Sequence, residues 1–264
     1  MTAAQVNQLL SSISTQHVYA FFLVLARVAP LFVLAPVFSS QMLIPQARMV
    51  IALGLALGLT PLAQHGQDIP AGVLPLAVMV VQNAVVGLAL AYALATVFAA
   101  VQSAGTFADA FGGFSFGSMI DPVNGNPGGS MTNLYTMVGL AMFLVIGGDA
   151  WTVRGLNGTF TVVPLTGAPA IRSMVGYVES AFTSMLVSAV EIVAPVILAV
   201  LVTDVAFGML SKVVPQLSVF SVGFVVRIGV TLLIVSVSLP FIGNWMSNAL
   251  YSTVGTAVQT VGIR

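Results

Sequence analysis

Cysteine is absent from the 264 residues, so disulfides, thiolate metal sites and cysteine nucleophiles are excluded together. Histidine is nearly absent: His17 and His65 are the two present, too few for a histidine-rich metal centre. Charge is scarce as well. Seven basic and seven acidic side chains make up 5% of the chain and cancel to zero net charge. Soluble domains carry roughly 25% charged residues, because their exterior must stay wet. The balance also leaves no polycationic face for nucleic acid. What remains is apolar, at 58% hydrophobic residues, so most of the surface must face lipid or other apolar protein. No stretch is polar enough for a separate water-soluble domain. Met1 to Gln16 lack the positive start and small-residue cleavage site of a secretory leader, so the first apolar run is expected as a retained helix.

Six apolar runs cover about 18–39, 49–63, 72–101, 134–151, 178–210 and 219–250. Inside lipid, only helices and closed barrels satisfy their own backbone. The run from Pro195 to Val202 shows none of the alternation of a barrel strand, so the expected fold is an all-α integral membrane protein with about six helices. Residues 49–63 would span only about 22 Å, short of the ~30 Å hydrocarbon layer, while 178–210 would reach about 50 Å. Such unequal lengths suggest hairpins packed against other protein. Pro30, Pro36, Pro75, Pro195 and Pro240 are expected to kink their helices. The first half of 102–133 is rich in Gly and Phe and reads as a glycine-broken, re-entrant or pore-lining segment. Its second half, from Asp121 to Gly129, is a loop by its turn residues, and 155–173 is a second polar connection. Arg154, Arg172 and Arg264 on one side against Arg48 and Lys212 on the other are too even a distribution to orient the chain.

Charges in or beside apolar runs are candidate functional residues: Arg27, Asp109, Asp149, Glu191, Asp204 and Arg227. Unpaired in lipid, each costs at least ~2.5–3.5 kcal/mol, so each should find a partner, face water or sit at an interface. They could set the register between subunits, line an ion path, or pair within the chain. Phe111, Phe114, Phe116 and Met119 could form an apolar constriction that yields to a passing chain, or could be ordinary helix packing. Gly54 and Gly58 match G-x-x-x-G, read here as close helix packing. Gly113 to Gly117 match the hydrolase pattern G-x-S-x-G around Ser115, but that motif needs a strand-turn-helix setting and a histidine base, and no enzyme is expected.

Two stretches go further. Ser103-Ala104-Gly105, then Gly113-Phe114-Ser115-Phe116 and Asp121-Pro122, form the first. The second runs from Asp204 through Lys212 and Pro215-Gln216-Leu217 to Phe220, followed by Val222-Gly223-Phe224. With Arg27-Val28-Ala29-Pro30, Ala35-Pro36-Val37-Phe38 and Ile44-Pro45, this pattern resembles the FliR family of type III secretion export-gate proteins over almost the full length. Val225, where the family usually has proline, and the glycine-rich loop after Pro122 are departures. The resemblance implies a bacterial inner-membrane, multi-pass subunit of the flagellar basal body. One copy would join several FliP-like and FliQ-like subunits in a helical ring through which unfolded proteins pass. FlhA-like and FlhB-like components would be further partners. It also implies a FliP-like part over 1–177 and a FliQ-like helical hairpin over 178–264, with the Gly/Phe segment near the pore. Asp204 and Lys212, bracketing the most family-like segment, become candidate subunit contacts together with Pro215, Gln216 and Leu217. The injectisome has a homologous subunit with the same pattern. No cofactor is implied, and no G-x-x-x-x-G-K phosphate loop occurs, so energy must come from partners or the proton gradient. A small-molecule secondary transporter is the remaining alternative, but the matching inverted halves of such proteins are missing.

Overall fold

The computed structural model describes residues 15–39, 44–64, 67, 69–70, 72–115, 129–213 and 219–262. These form helices α1 (Thr15–Leu34), α2 (Pro36–Ser39), α3 (Pro45–Ala63), α4 (Val73–Gly112), α5 (Ser130–Val145), α6 (Gly148–Val162), α7 (Ile171–Val213) and α8 (Val219–Gly262). No strand occurs among the described residues. Five helices are long and apolar enough to cross a membrane, six if α5 and α6 count as one bent span. The chain is an all-α integral membrane protein.

Helices outrun the apolar runs that announce them, and four expectations change as a result. First, α3 begins at Pro45, whose fixed φ suits a first helical position, and its 19 residues reach about 28 Å. It is therefore long enough to cross, because Gln46 and Arg48 join the helix despite their polarity. Second, the Gly/Phe segment does not break at Gly105; α4 continues to Gly112. Gly105 is instead a contact point, where an added Cβ would lie 2.8 Å from the Cα of Thr132. Third, the run 134–151 is not one helix: at Gly147, φ +70, the axis bends by 69° between α5 and α6. Only glycine adopts that left-handed conformation without steric cost. Fourth, α6 absorbs the first half of the expected polar connection, leaving 163–170 with Pro164, Gly167 and Pro169 as the actual link.

The prolines divide by position. Pro36 opens α2 and Pro75 sits in the first turn of α4, where no intrahelical N–H is lost, so neither needs a kink. Pro30, Pro195 and Pro240 lie inside continuous helices, as does Pro61.

The chain forms two compact units: residues 1–95, 149–180 and 251–264 make one, and 96–148 with 181–250 the other. In the first, α1 packs on α3 and its core includes Leu23, Val24, Leu31 and Leu156. In the second, Ala104, Ala108 and Tyr135 pack with Ile192, Val196, Val235 and Ile242. Burial differs sharply between helices. The most apolar stretch of α4 is 67% buried within the chain, against 28% for α7 and 17% for α8. The two longest helices therefore leave most of their surface to lipid or to other proteins.

Candidate functional site

In the first unit, Arg27 is completely buried on α1 and forms no ion pair among the described residues. Its guanidinium donates through Nε and Nη2 to Asn83 Oδ1, at 3.0 and 2.6 Å. Nη1 donates to Thr159 Oγ1 at 3.3 Å and to the Val163 carbonyl at 2.9 Å, and the Phe160 ring lies 4.4 Å below the guanidinium carbon. Asn83 spends its own amide on the carbonyls of Met79 and Leu165. Five donors in a planar fork let one arginine tie α1, α4, α6 and the 163–170 link. The charge is thus stabilised by oriented neutral dipoles and a ring face. Asn83, the partner that makes this possible, was passed over in the sequence. It is an amide inside an apolar run, and the cost of burying an unpaired polar group would have flagged it.

The second unit holds the charge cluster next to the Gly/Phe segment. Asp109, on the last turn of α4, is buried and caps the start of α5. Its carboxylate accepts from the N–H groups of Met131 and Thr132, both at 2.8 Å, and from Thr132 Oγ1 at 2.6 Å. A helix N-terminus exposes unpaired N–H groups and carries partial positive charge, so it suits a carboxylate as acceptor. The Asp109 backbone carbonyl also accepts from Ser115 N–H at 3.3 Å, beyond the Gly113 turn at φ +87. One residue thereby fastens the segment that leaves α4 and the helix that follows. Gly112 lies against Thr231, and Gly113 against Phe224 and Arg227 of α8. Arg227 in turn donates through Nε and Nη2 to Asp204 Oδ1 of α7, at 3.2 and 2.6 Å, in a half-exposed ion pair that joins α7 to α8.

The other candidates are dispersed. Phe111 is exposed, whereas Phe114 is half-buried against the core of its unit. Lys212 is exposed in the last turn of α7. Glu191 is not buried: helical periodicity turns it away from Ile192 and Val193, which are. Phe116, Met119, Pro215, Gln216 and Leu217 lie outside the described residues. An added Cβ at Gly54 or Gly58 would meet nothing within 4 Å among the described residues, so their motif brings no described helix close there. Ser115 follows a helix rather than a strand, which is not the elbow of a hydrolase. Among the described residues no three His, Cys, Asp or Glu side chains gather as a metal site.

Residues 18–253 match the family model described as bacterial export proteins, family 1. The chain belongs to that family. Among its relatives, the flagellar biosynthetic protein FliR of Escherichia coli is 26% identical over 84% of this chain and 85% of its own length. The FliR protein of Bacillus subtilis is 27% identical over 90% of this chain and 92% of its own length. The surface presentation of antigens protein SpaR of Salmonella typhimurium is 30% identical over 79% of this chain and 78% of its own length. The match to bacterial export proteins, family 1, takes in both units, the Arg27 cluster and the Asp109 cap.

Proposed function

We propose that this bacterial export protein is a subunit of the inner-membrane gate of a flagellar type III secretion system, forming part of the channel for unfolded proteins. The observation that carries the reading is the family match over nearly the whole chain, including the two long helices that the chain by itself leaves mostly uncovered. Surfaces of that kind suit a subunit wrapped by others, here FliP-like and FliQ-like membrane proteins, with FlhA-like and FlhB-like components beyond them. In this reading residues 178–264 act as the FliQ-like hairpin and 1–177 as the FliP-like part. Asp204, Lys212, Pro215, Gln216 and Leu217 contact neighbouring subunits. Phe111, Phe114, Phe116 and Met119 narrow the channel, and the chain performs no catalysis. The similarity to SpaR supports an injectisome gate as the second reading.

Deletion in the source bacterium tests this. Loss of filament-protein secretion and of motility, restored by the intact gene, is the expected result. Unchanged filament secretion with loss of secreted virulence effectors would transfer the protein to the injectisome. Neither loss would overturn the export reading.

A further inference from the structure

Glu191 stands near the middle of the 43-residue α7. It is exposed, and among the described residues it makes no hydrogen bond or ion pair. Pro195, Leu198, Val202, Val205 and Met209 follow it at steps of four, three, four, three and four residues, and all are exposed. This alternation is the spacing of a seam along which one further helix packs. It lies roughly 150° around α7 from Ile192, Val193, Val196 and Val200, which face the core of their own unit. The seam is apolar except for one carboxylate.

That carboxylate narrows what can lie there. Acyl chains alone would leave a charge without solvent or partner, and a short acidic side chain at mid-helix has no reach to an interface. A second copy of this chain in parallel symmetric contact would set Glu191 against itself. Nor do the described residues offer it a cation from the chain itself: Arg27 is buried, Arg48 stands in the first turn of α3 with a contact of its own, Arg227 is paired with Asp204, Arg154 lies over Trp151, and Arg172 and Lys212 stand at the ends of α7. We propose that the seam seats an apolar membrane helix of a different protein that presents a lysine or arginine opposite Glu191. The seam supplies contact area and the ion pair sets its register. This deepens the export-gate reading, on which it rests, by giving the chemistry of one partner contact.

Photoreactive residues placed at Leu198 and Val202, in the full chain in its own membrane, test the proposal. Expected are adducts with one membrane protein, mapped to a helix bearing Lys or Arg. Glu191→Lys should lower their yield about tenfold or more, the effect of losing one member of a desolvated pair. Changing the partner's basic residue to Glu should restore it. Should Glu191→Lys fail to accumulate, Glu191→Gln still applies, with an expected drop of about threefold. Adducts with lipid alone, adducts with a second copy, or yields indifferent to residue 191 at normal protein level would each overturn the proposal. Recovery of the export complex from wild-type membranes is scored separately. An intact complex with indifferent yields rejects the seam alone, whereas absence of export partners beside charge-sensitive adducts rejects the export reading alone.

Discussion

Buried charge in this protein is held by hydrogen-bonding dipoles more than by opposite charge. Arg27 rests on an amide, a hydroxyl, a carbonyl and a ring, and Asp109 on two backbone N–H groups and a hydroxyl. Removing one member of such an arrangement leaves the other unsatisfied, which costs more than removing both. Asn83→Leu, which strands a buried guanidinium, should destabilise the detergent-solubilised protein by about 3–5 kcal/mol. Arg27→Met with Asn83→Leu should cost clearly less than the two single changes added together. Thermal unfolding of the four proteins measures this coupling, and strict additivity would mean that the Arg27–Asn83 contact contributes nothing. Asp109→Asn keeps the shape but weakens a charge-assisted cap, so a smaller loss of about 1–2 kcal/mol is expected in the same measurement.

At the scale of elements, the Asp204–Arg227 pair and the Gly112–Gly113 turn meet where α4, α7 and α8 converge. Because Asp204 is engaged within the chain, its effect on assembly has to be separated from its effect on the hairpin. Asp204→Arg should lower recovery of the export complex several-fold, as like charges would then face each other. Combining it with Arg227→Asp should restore recovery if the pair acts only to join α7 and α8. Failure of the swap, with normal protein level, would assign Asp204 to a neighbouring subunit. Lys212→Glu is the simpler case, since Lys212 is exposed and without a partner among the described residues. Lower complex recovery at normal expression supports contact there, and unchanged recovery argues against it. The Gly147 bend is a further element-scale constraint. Gly147→Ala, forced to φ +70, should cost about 1–2 kcal/mol although nothing crowds the site.

For the whole molecule, the telling feature is the contrast between well-covered α4 and uncovered α7 and α8. A gate built on such a subunit should leak ions when its narrowest apolar ring is thinned. Phe111→Ala with Phe114→Ala is expected to raise ion conductance through an assembled complex without lowering its recovery. Unchanged conductance would place the constriction elsewhere, and lost recovery would show Phe114 to be core packing, in line with its contacts. The molecule as a whole was readable to different depths. Helices and their approximate count followed from apolar run length, since lipid admits few alternatives. Their ends did not, because polar residues continue α4 beyond its apolar run, Thr106 meeting Thr132 of α5 in a contact that no run length records. The 178–210 run reads as far longer than a single span, and α7 is indeed 43 residues, yet Glu191 within it reads as a buried charge because composition gives depth in a run and not direction around a helix.

The amino-acid sequence alone established a helical membrane protein with no cysteine, and its motifs tied it to an export family. Those conclusions rest on local properties, the free energy of moving each residue into an apolar medium and the order of residues along the chain. Tertiary structure decided which charges are satisfied and by whom: Arg27 by Asn83, Asp109 by the start of α5, Asp204 by Arg227, and Glu191 by nothing among the described residues. Such pairings depend on the rotation and axial position of one helix against another, and these are fixed only when distant side chains pack together.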